Sequence, residues 1–126
     1  MKILIADDKL HIRRVLRRLI EGHEDWVVCA EAEDGVQAVN RAKQFKPDLI
    51  ILDLAMPELN GIEAARQISK ALPGVPILML TLYATPLVEK EAEKVGVQRV
   101  ISKSTGYMLV PAIEEALAQS HHKKAA

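Results

Sequence analysis

Five polar side chains with useful chemistry follow short apolar runs of the sequence. They are Asp7, Asp8, Asp53, Thr81 and Lys103. If those runs are strands of one open α/β sheet, their carboxyl ends meet at the edge where such sheets bind ligands. Three carboxylates gathered there repel one another unless a cation neutralises them. Mg²⁺ suits this role, because it prefers a few carboxylate or carbonyl oxygens together with water.

Such a cluster favours phosphoryl chemistry. A carboxylate beside a divalent cation can attack phosphorus and form an aspartyl-phosphate. The transition state spreads negative charge over the equatorial oxygens, and Mg²⁺, the Lys103 ammonium and the Thr81 hydroxyl can stabilise that charge. No histidine, cysteine or serine, Ser102 included, follows a strand with an obvious activating base. A hydrolase triad therefore has little support.

The acidic residues also have a structural interpretation. Aspartate is a favoured helix cap, which would explain Asp7 and Asp8 taken alone. A single aspartate after a strand, such as Asp53, is usually a turn residue. This interpretation weakens because every predicted strand except the second ends in a side chain of this kind.

The apolar runs that must position these side chains have the length of strands. They cover residues 3–6, 27–30, 49–52, 77–80 and 100–101. Several are apolar at every position, which is typical of strands buried on both faces of a parallel sheet.

Helical spacing of apolar residues separates the strands. The inward face of the first helix is predicted to comprise Ile12, Val15, Leu16, Leu19 and Ile20,. Gly22 is placed to end this helix. Asp34 can cap the second helix, and Pro47 ends it.

The remaining helices have similar boundary signals. Asn60 can cap the third helix, which ends at Pro73,. The fourth helix is predicted over residues 86–95, before a glycine. The fifth helix is predicted to begin at Ser104 or Thr105.

Strict alternation of strands and helices predicts a doubly wound α/β fold with right-handed crossovers. No linker or shift in composition divides the chain, so we expect one domain over residues 1–120. Residues 121–126 are polar and small, and we expect a disordered tail there.

Composition narrows the class of function. The chain has 126 residues, of which 49% are apolar and 27% charged, enough to form one soluble domain with a core,. Its net charge of zero and low aromatic content give no case for direct nucleic-acid contact,. The single cysteine, Cys29, excludes an internal disulfide and a cysteine-built zinc site. Neither a membrane span nor a signal peptide is predicted, and we expect a cytoplasmic protein.

Four elements, in order and at their spacing, resemble the receiver domains of two-component response regulators, the CheY-like family. They are Asp7–Asp8 after the first strand, the segment DLAMPELNG at residues 53–61, Thr81 after the fourth strand, and Lys103 after the fifth. The resemblance covers residues 2 to about 119. Residues 96–104 are similar to receivers of the NarL/LuxR-like subfamily, which includes nitrate-responsive regulators.

The resemblance implies a fold and a role for each residue. The fold would be the flavodoxin-like, five-stranded parallel sheet in the order 2-1-3-4-5, with five helices. Asp53 would accept the phosphoryl group. Asp7, Asp8, Asp53 and the backbone carbonyl of Ala55 would hold Mg²⁺. Thr81 would hydrogen-bond the phosphoryl group, and Lys103 would form an ion pair with it.

The resemblance also implies partners. The phosphoryl donor would be a histidine kinase, a phosphotransfer protein or a small acyl phosphate. The surface formed by the fourth helix, fifth strand and fifth helix would change conformation, control an effector and allow a homodimer. The family often has an aromatic residue where this chain has Val100, so a route from Thr81 to that surface would have to run without that ring.

The first helix carries a broad basic face opposite its apolar stripe. It comprises Lys9, Arg13, Arg14, Arg17 and Arg18. A solvated face is the simpler interpretation. The functional interpretation is a docking surface for an acidic partner, in which Arg14 and Arg18 would contact the kinase.

The function expected from these patterns is a receiver that is phosphorylated on Asp53 with Mg²⁺ and later loses the phosphoryl group to water. It would be a self-modifying switch and not an enzyme with a separate substrate. A degenerate receiver that binds partners without phosphorylation is one alternative. A Mg²⁺-dependent phosphatase is another, with less support because Ala55 stands where a second acid would be needed.

Overall fold

The structure is a computed structural model that describes residues 1–125, apart from the side chains of residues 105–107 and 121–125. The strands are β1 (Lys2–Ala6), β2 (Val27–Ala32), β3 (Leu49–Asp53), β4 (Ile77–Thr81) and β5 (Arg99–Ser102). The helices are α1 (Leu10–Glu21), α2 (Gly35–Phe45), α3 (Gly61–Ala71), α4 (Pro86–Lys94) and α5 (Leu109–Ala125). A 3₁₀ segment, Lys103–Met108, joins β5 to α5.

The five strands form one parallel sheet in the order β2-β1-β3-β4-β5. The predicted doubly wound α/β fold and its strand order are therefore confirmed. Since β1 and β3 are neighbours at the reversal of strand order, their carboxyl ends open side by side into the crevice that this topology creates.

Alternation of side chains along the strands divides the core into two layers. Leu4, Ile50 and Met79 face α2, α3 and α4. Ile5 and Ile51, on the opposite face, pack with α1 and α5. Both faces of the sheet are covered, which explains why the central strands are apolar at nearly every position.

Side-chain caps fix where two helices begin. Asp34 Oδ1 accepts a hydrogen bond from the Gln37 N–H at 2.7 Å, and Asn60 Oδ1 accepts one from the Glu63 N–H at 3.0 Å. Each bond satisfies an N–H group that lacks a partner within the first helical turn. Both caps are those predicted from the sequence, and the second begins α3 at Gly61, which lies against the main chain of Asp53.

The first helix differs from its prediction. Val15 and Leu19, predicted to face inward, are 59% and 38% exposed. Arg13, predicted on the basic face, is buried with Leu16 and Ile20. The apolar stripe of α1 is wider than the strip that the sheet covers, so its outer edge borders a groove beside the start of α5.

The C-terminal helix also begins later than predicted. The 3₁₀ segment precedes it, and α5 starts at Leu109, not at Ser104 or Thr105. The tight segment keeps Lys103 at the end of β5, where its side chain reaches the acidic residues. The side chains of residues 121–125 and all of residue 126 lie outside the described structure, and the predicted tail stays a prediction. No helix of the described chain has the length and apolar character required to cross a membrane.

Candidate functional site

The acidic residues named from the sequence converge at the carboxyl end of the sheet. One carboxylate oxygen from each of Asp7, Asp8 and Asp53 lies within 4.8 Å of the other two. Asp7 and Asp53 are buried, at 1% and 3% exposure, whereas Asp8 is exposed. The cluster therefore has a buried floor and one solvent-facing side through which an ion or a phosphorylated partner can approach.

Lys103 reaches this cluster from the far edge of the sheet. Its Nζ lies 3.0 Å from Asp7 Oδ2 and 3.1 Å from Asp53 Oδ1, and the side chain is only 14% exposed. Burial of the ammonium lowers its pKa, but the hydrogen bonds and charges of Asp7 and Asp53 outweigh that effect and raise the pKa of Lys103 overall,. The lysine is a fixed positive charge bridging the two buried carboxylates.

Asp53 is the acid whose protonation the cluster changes most clearly. Burial, and then the charge of Asp7, raise the pKa of the Asp53 carboxyl above its ordinary value, and Lys103 offsets only part of this,. Its Oδ1 faces Lys103, while Oδ2 is the buried side-chain polar atom without a hydrogen-bond partner in the described part of the chain. A buried, unpartnered carboxylate oxygen is costly unless a ligand satisfies it.

This arrangement fits a hard divalent cation. The free Asp53 Oδ2 and the exposed Asp8 supply oxygen ligands, and the cluster offers no sulfur or nitrogen ligand. An all-oxygen site with room for water on one side suits Mg²⁺ better than zinc or copper. Ala55 is exposed in the loop just beyond Asp53, and its carbonyl as a ligand stays a prediction.

Thr81 ends β4, the strand next to β3, and is 2% exposed. Its Oγ1 accepts a hydrogen bond from the Tyr83 N–H at 3.0 Å. The side chain of Tyr83 is 67% exposed at the start of the loop that leads to α4. The hydroxyl predicted from the sequence to contact a phosphoryl group is thus linked to an exposed loop through one hydrogen bond.

The loop after β3 is tightly packed beneath Asp53. The Gly61 N–H donates to the Leu54 carbonyl at 2.8 Å, and a Cβ atom at Gly61 would collide with the main-chain oxygen of Asp53. Glu58 adopts a positive φ of 67°, which is uncommon for a residue other than glycine,. Gly61 is therefore packed closely against the main chain of Asp53 and Leu54.

Arg13 and Glu31 adjoin the site, and neither was predicted to belong to it. The Arg13 Nη1 donates to the main-chain oxygen of Asp7 at 2.6 Å, and its Nε donates to Glu31 Oε1 at 2.9 Å. The helical spacing could have predicted that Arg13 is buried. It stands three residues before Leu16 and seven before Ile20, on the face of α1 that becomes buried,.

Arg14 and Arg18 remain apart from the acidic cluster. Both are exposed on α1, near a groove of about 320 Å³. Its lining residues are Ile12, Val15, Leu16, Leu19, Leu80, Lys103 and Leu109. Lys103 lines this groove and its Nζ also contacts Asp53, so this one side chain adjoins both the groove and the acidic cluster.

Comparisons with known proteins agree with the geometry. The family model described as "response regulator receiver domain" matches residues 3–113. The transcriptional regulatory protein YdfI of Bacillus subtilis is 39% identical over 104 residues, which are 82% of this chain but 48% of that protein. The chemotaxis protein CheY of Listeria monocytogenes is 34% identical over 82% of this chain and 86% of its own length.

Solved structures give the same result for the fold. A two-component response regulator of the LuxR family from Aurantimonas superposes with a TM-score of 0.90 at 34% identity. The match covers 94% of this chain and 85% of that one. The response regulator domain of Thermotoga maritima CheB has a TM-score of 0.83 at 33% identity and covers 95% of both chains. This chain spans about half the length of regulators such as YdfI and YxjL.

Proposed function

We propose that this chain, which belongs to the family of response regulator receiver domains, is a signalling switch. Phosphorylation of Asp53 would turn it on. The resemblance to CheY-like and LuxR-family receivers is confirmed by the comparisons. One observation supports the choice of residue. Within the described part of the chain, Asp53 Oδ2 is buried without a hydrogen-bond partner, in a cluster that could hold a cation and that Lys103 contacts.

Each group has a role in the proposed transfer. An oxygen of Asp53 attacks phosphorus, an O–P bond forms, and the bond from phosphorus to the donor nitrogen or acyl oxygen breaks. The ammonium of Lys103 pairs with the negative charge on the transferred group, and the Thr81 hydroxyl donates a hydrogen bond to it. Mg²⁺, held by Asp7, Asp8, Asp53 and the Ala55 carbonyl, would neutralise charge on the phosphoryl oxygens.

The raised pKa of Asp53 matters for this chemistry. Asp53 must be ionised to attack phosphorus, and burial together with the Asp7 charge disfavours that form,. A bound divalent cation reverses the balance, because it attracts the carboxylate and stabilises its charge. Phosphorylation should therefore require the metal, and should weaken on acidification through the range in which Asp53 takes up a proton.

Loss of the phosphoryl group returns the switch to its first state. Water attacks phosphorus, the bond from phosphorus to the Asp53 oxygen breaks, inorganic phosphate leaves and the Asp53 carboxylate is regenerated. We propose no separate substrate, so the chain acts as a self-modifying switch and not as an enzyme in the usual sense.

The proposed output runs from Thr81 to the surface of α4, β5 and α5. When the Thr81 hydroxyl turns to the phosphoryl group, it gives up its hydrogen bond from the Tyr83 N–H. The loop before α4 then changes conformation. Val100 is half-buried on β5 beside Met79, and does not supply the ring that many receivers use at this position. That surface would contact an effector or a second copy of the chain.

The donor would be a histidine kinase or a phosphotransfer protein, as for receiver domains in general. We propose that it docks on α1, where Arg14 and Arg18 are exposed near the apolar groove. A partner with apolar and acidic side chains fits this combination. We expect the protein to work in the cytoplasm without direct contact to nucleic acid, and any transcriptional output would belong to another domain or chain.

The test measures intact mass after incubation with Mg²⁺ and a small acyl phosphate. We expect the wild-type protein to gain one phosphoryl group, and the Asp53→Asn variant to gain none. Asp25→Asn is the matched control, because Asp25 is exposed in the segment before β2, away from the acidic cluster, and it should label like the wild type. Absence of an adduct on the wild-type protein would contradict the proposal and favour a phosphorylation-independent interaction module.

The phosphatase alternative requires one further measurement. Sustained release of phosphate from a phosphomonoester, in amounts well above one equivalent of protein, would support it. We expect no such turnover.

A further inference from the structure

Arg13 is a charged residue on the buried face of α1. It shares the buried face of α1 with Leu16 and Ile20, and its side chain is 11% exposed. A buried guanidinium is costly unless its donors are satisfied. The contacts that satisfy it therefore show what this residue does.

Two elements are joined by the Arg13 guanidinium. Its Nε donates to Glu31 Oε1 on β2 at 2.9 Å, and its Nη1 donates to the main-chain oxygen of Asp7 at 2.6 Å. The second contact is charge-assisted and short, so it is among the stronger hydrogen bonds available to a protein. It ends on the peptide that connects Asp7 to Asp8.

Contacts on all sides immobilise Asp7. Its N–H donates to the Ala32 carbonyl at 3.0 Å, Oδ1 accepts from the Lys9 N–H at 2.9 Å, and Oδ2 accepts from Lys103. Arg13 completes the set by holding the carbonyl oxygen. All four polar atoms of the residue therefore have a partner.

Asp8 depends on this framework. Its side chain is exposed, and its ion pair with Lys9 is long, at 3.8 Å. The backbone of Asp8, which begins at the peptide that Arg13 holds, therefore fixes where its side chain starts relative to the cluster. Groups behind the ligands of a metal commonly set its affinity in this way.

We infer that Arg13 is a positioning residue for the cation site, which it serves by fixing the Asp7–Asp8 peptide and thereby aiming Asp8 at the ion. The inference rests on the proposed function, because it assumes that Asp8 is a ligand. Glu31 has a supporting role. Its carboxylate orients the guanidinium and also offsets a positive charge that would otherwise repel a dication,.

The test compares Arg13→Met with Arg17→Met. Methionine keeps an apolar stem in the buried position but removes both hydrogen bonds. Arg17 supplies the control, because its Nε donates to Glu31 Oε2 at 2.9 Å and it has no contact with Asp7. Mg²⁺ affinity is measured by calorimetric titration, after urea unfolding has shown that each variant is folded at the temperature used.

We expect Arg13→Met to bind Mg²⁺ about 10- to 100-fold more weakly than the wild type, and Arg17→Met to bind within about twofold of it. In the metal-free protein, exchange of the Asp8 and Lys9 amide hydrogens should be about tenfold faster in Arg13→Met, because a hydrogen bond from a charged group is lost. Saturating Mg²⁺ should restore the rate of labelling by a small acyl phosphate. A merely structural role would not produce this restoration.

Equal Mg²⁺ affinity in wild type and Arg13→Met would overturn the inference while leaving the proposed function intact. Equal weakening by Arg13→Met and Arg17→Met would also overturn it, because the effect would then belong to the ion pairs around Glu31. Failure of the wild-type protein to bind Mg²⁺ would overturn the proposed function itself, and this inference with it.

If Arg13→Met does not fold, the Mg²⁺ affinity of Arg13→Lys tests the inference instead. Lysine keeps a buried cation, but a single ammonium lacks the fork that spans Glu31 and the Asp7 carbonyl. We expect it to weaken Mg²⁺ binding about threefold or more. Wild-type affinity in Arg13→Lys would contradict the inference.

Discussion

Replacing Asp53 by Asn should stabilise the metal-free protein, although it removes the residue proposed to carry the chemistry. Asp53 is buried beside Asp7 and Asp8, and its carboxyl pKa is raised by burial and by the Asp7 charge. Its ionised form therefore costs free energy in the folded state and not in the unfolded chain. Asparagine has nearly the same shape and keeps an oxygen that can accept from Lys103.

The size of the effect follows from the distances. At an effective dielectric constant of about 20, the attraction of the Asp53 carboxylate to Lys103 across 3.1 Å is about 5 kcal/mol,. Repulsion by Asp7 and by Asp8, each across 4.8 Å or less, is about 3.5 kcal/mol apiece,. Repulsion and burial outweigh the attraction, and solvent screening of Asp8 reduces the difference. We expect the free energy of unfolding to rise by about 1 to 2 kcal/mol.

Mg²⁺ should make the wild-type protein more stable than Asp53→Asn, the reverse of the order expected without the metal. A ligand that binds only the folded state at 100 times its dissociation constant stabilises that state by about 2.7 kcal/mol. The wild-type protein should gain this amount, whereas Asp53→Asn, in which a neutral amide replaces the central carboxylate, should gain much less. At saturating Mg²⁺ the wild type should therefore be the more stable protein.

Urea unfolding followed by far-UV circular dichroism measures both differences, with and without Mg²⁺. Asp25→Asn serves as the control, because Asp25 is exposed and outside the acidic cluster. Its midpoint should change little under either condition. A constant m-value among the three proteins would show that the midpoints report stability.

The pH dependence provides a second check. The folded-state pKa of Asp53 lies above its ordinary value of 3.8, so its contribution to stability is present below 3.8 and is lost as the pH rises through the folded-state pKa,. The advantage of Asp53→Asn should therefore be full at neutral pH and shrink on acidification. A metal-free Asp53→Asn variant less stable than the wild type at neutral pH would refute the reasoning, since attraction to Lys103 would then dominate the cluster.

Three further predictions concern other parts of the site. Lys103→Met should destabilise the metal-free protein by about 3 kcal/mol, because it leaves two buried carboxylates without their cation, and Mg²⁺ should recover part of the loss in urea unfolding. Gly61→Ala should cost about 1 to 3 kcal/mol in the same assay, because the added Cβ meets the main-chain oxygen of Asp53,; full stability would contradict this packing. Combined Arg14→Glu and Arg18→Glu should slow phosphotransfer from the cognate kinase at least tenfold and leave labelling by a small acyl phosphate unchanged. Equal rates with the kinase would exclude docking through these arginines.

The sequence was most informative where local chemistry decides the outcome. Strand-length runs that are apolar at every position predicted a parallel sheet buried on both faces. The family resemblance supplied the strand order. Asp34 and Asn60 marked the starts of α2 and α3, because a cap depends only on residues within one turn,. The acidic residues and Lys103 were recognisable because strand ends in this topology must meet at one edge.

Other features depended on distances between elements. Helical spacing placed Val15 and Leu19 in the core, yet both are exposed. How much of α1 is covered depends on its neighbouring elements, which the spacing within one helix does not determine. The start of α5 was also misplaced, since the 3₁₀ segment that holds Lys103 at the site precedes it.

By itself, the sequence determined the strands, the two helix caps and the residue types that can hold a cation and accept a phosphoryl group, because each of these depends on local pattern and chemistry. Only the tertiary structure decided which oxygen of Asp53 stays free, which atoms Lys103 bridges, and that Arg13 holds the Asp7 carbonyl. The reason is physical: a buried charge is tolerated only where specific partners surround it. Those partners come from several elements, and Lys103, at the start of the 3₁₀ segment, is 96 residues from Asp7 in the chain.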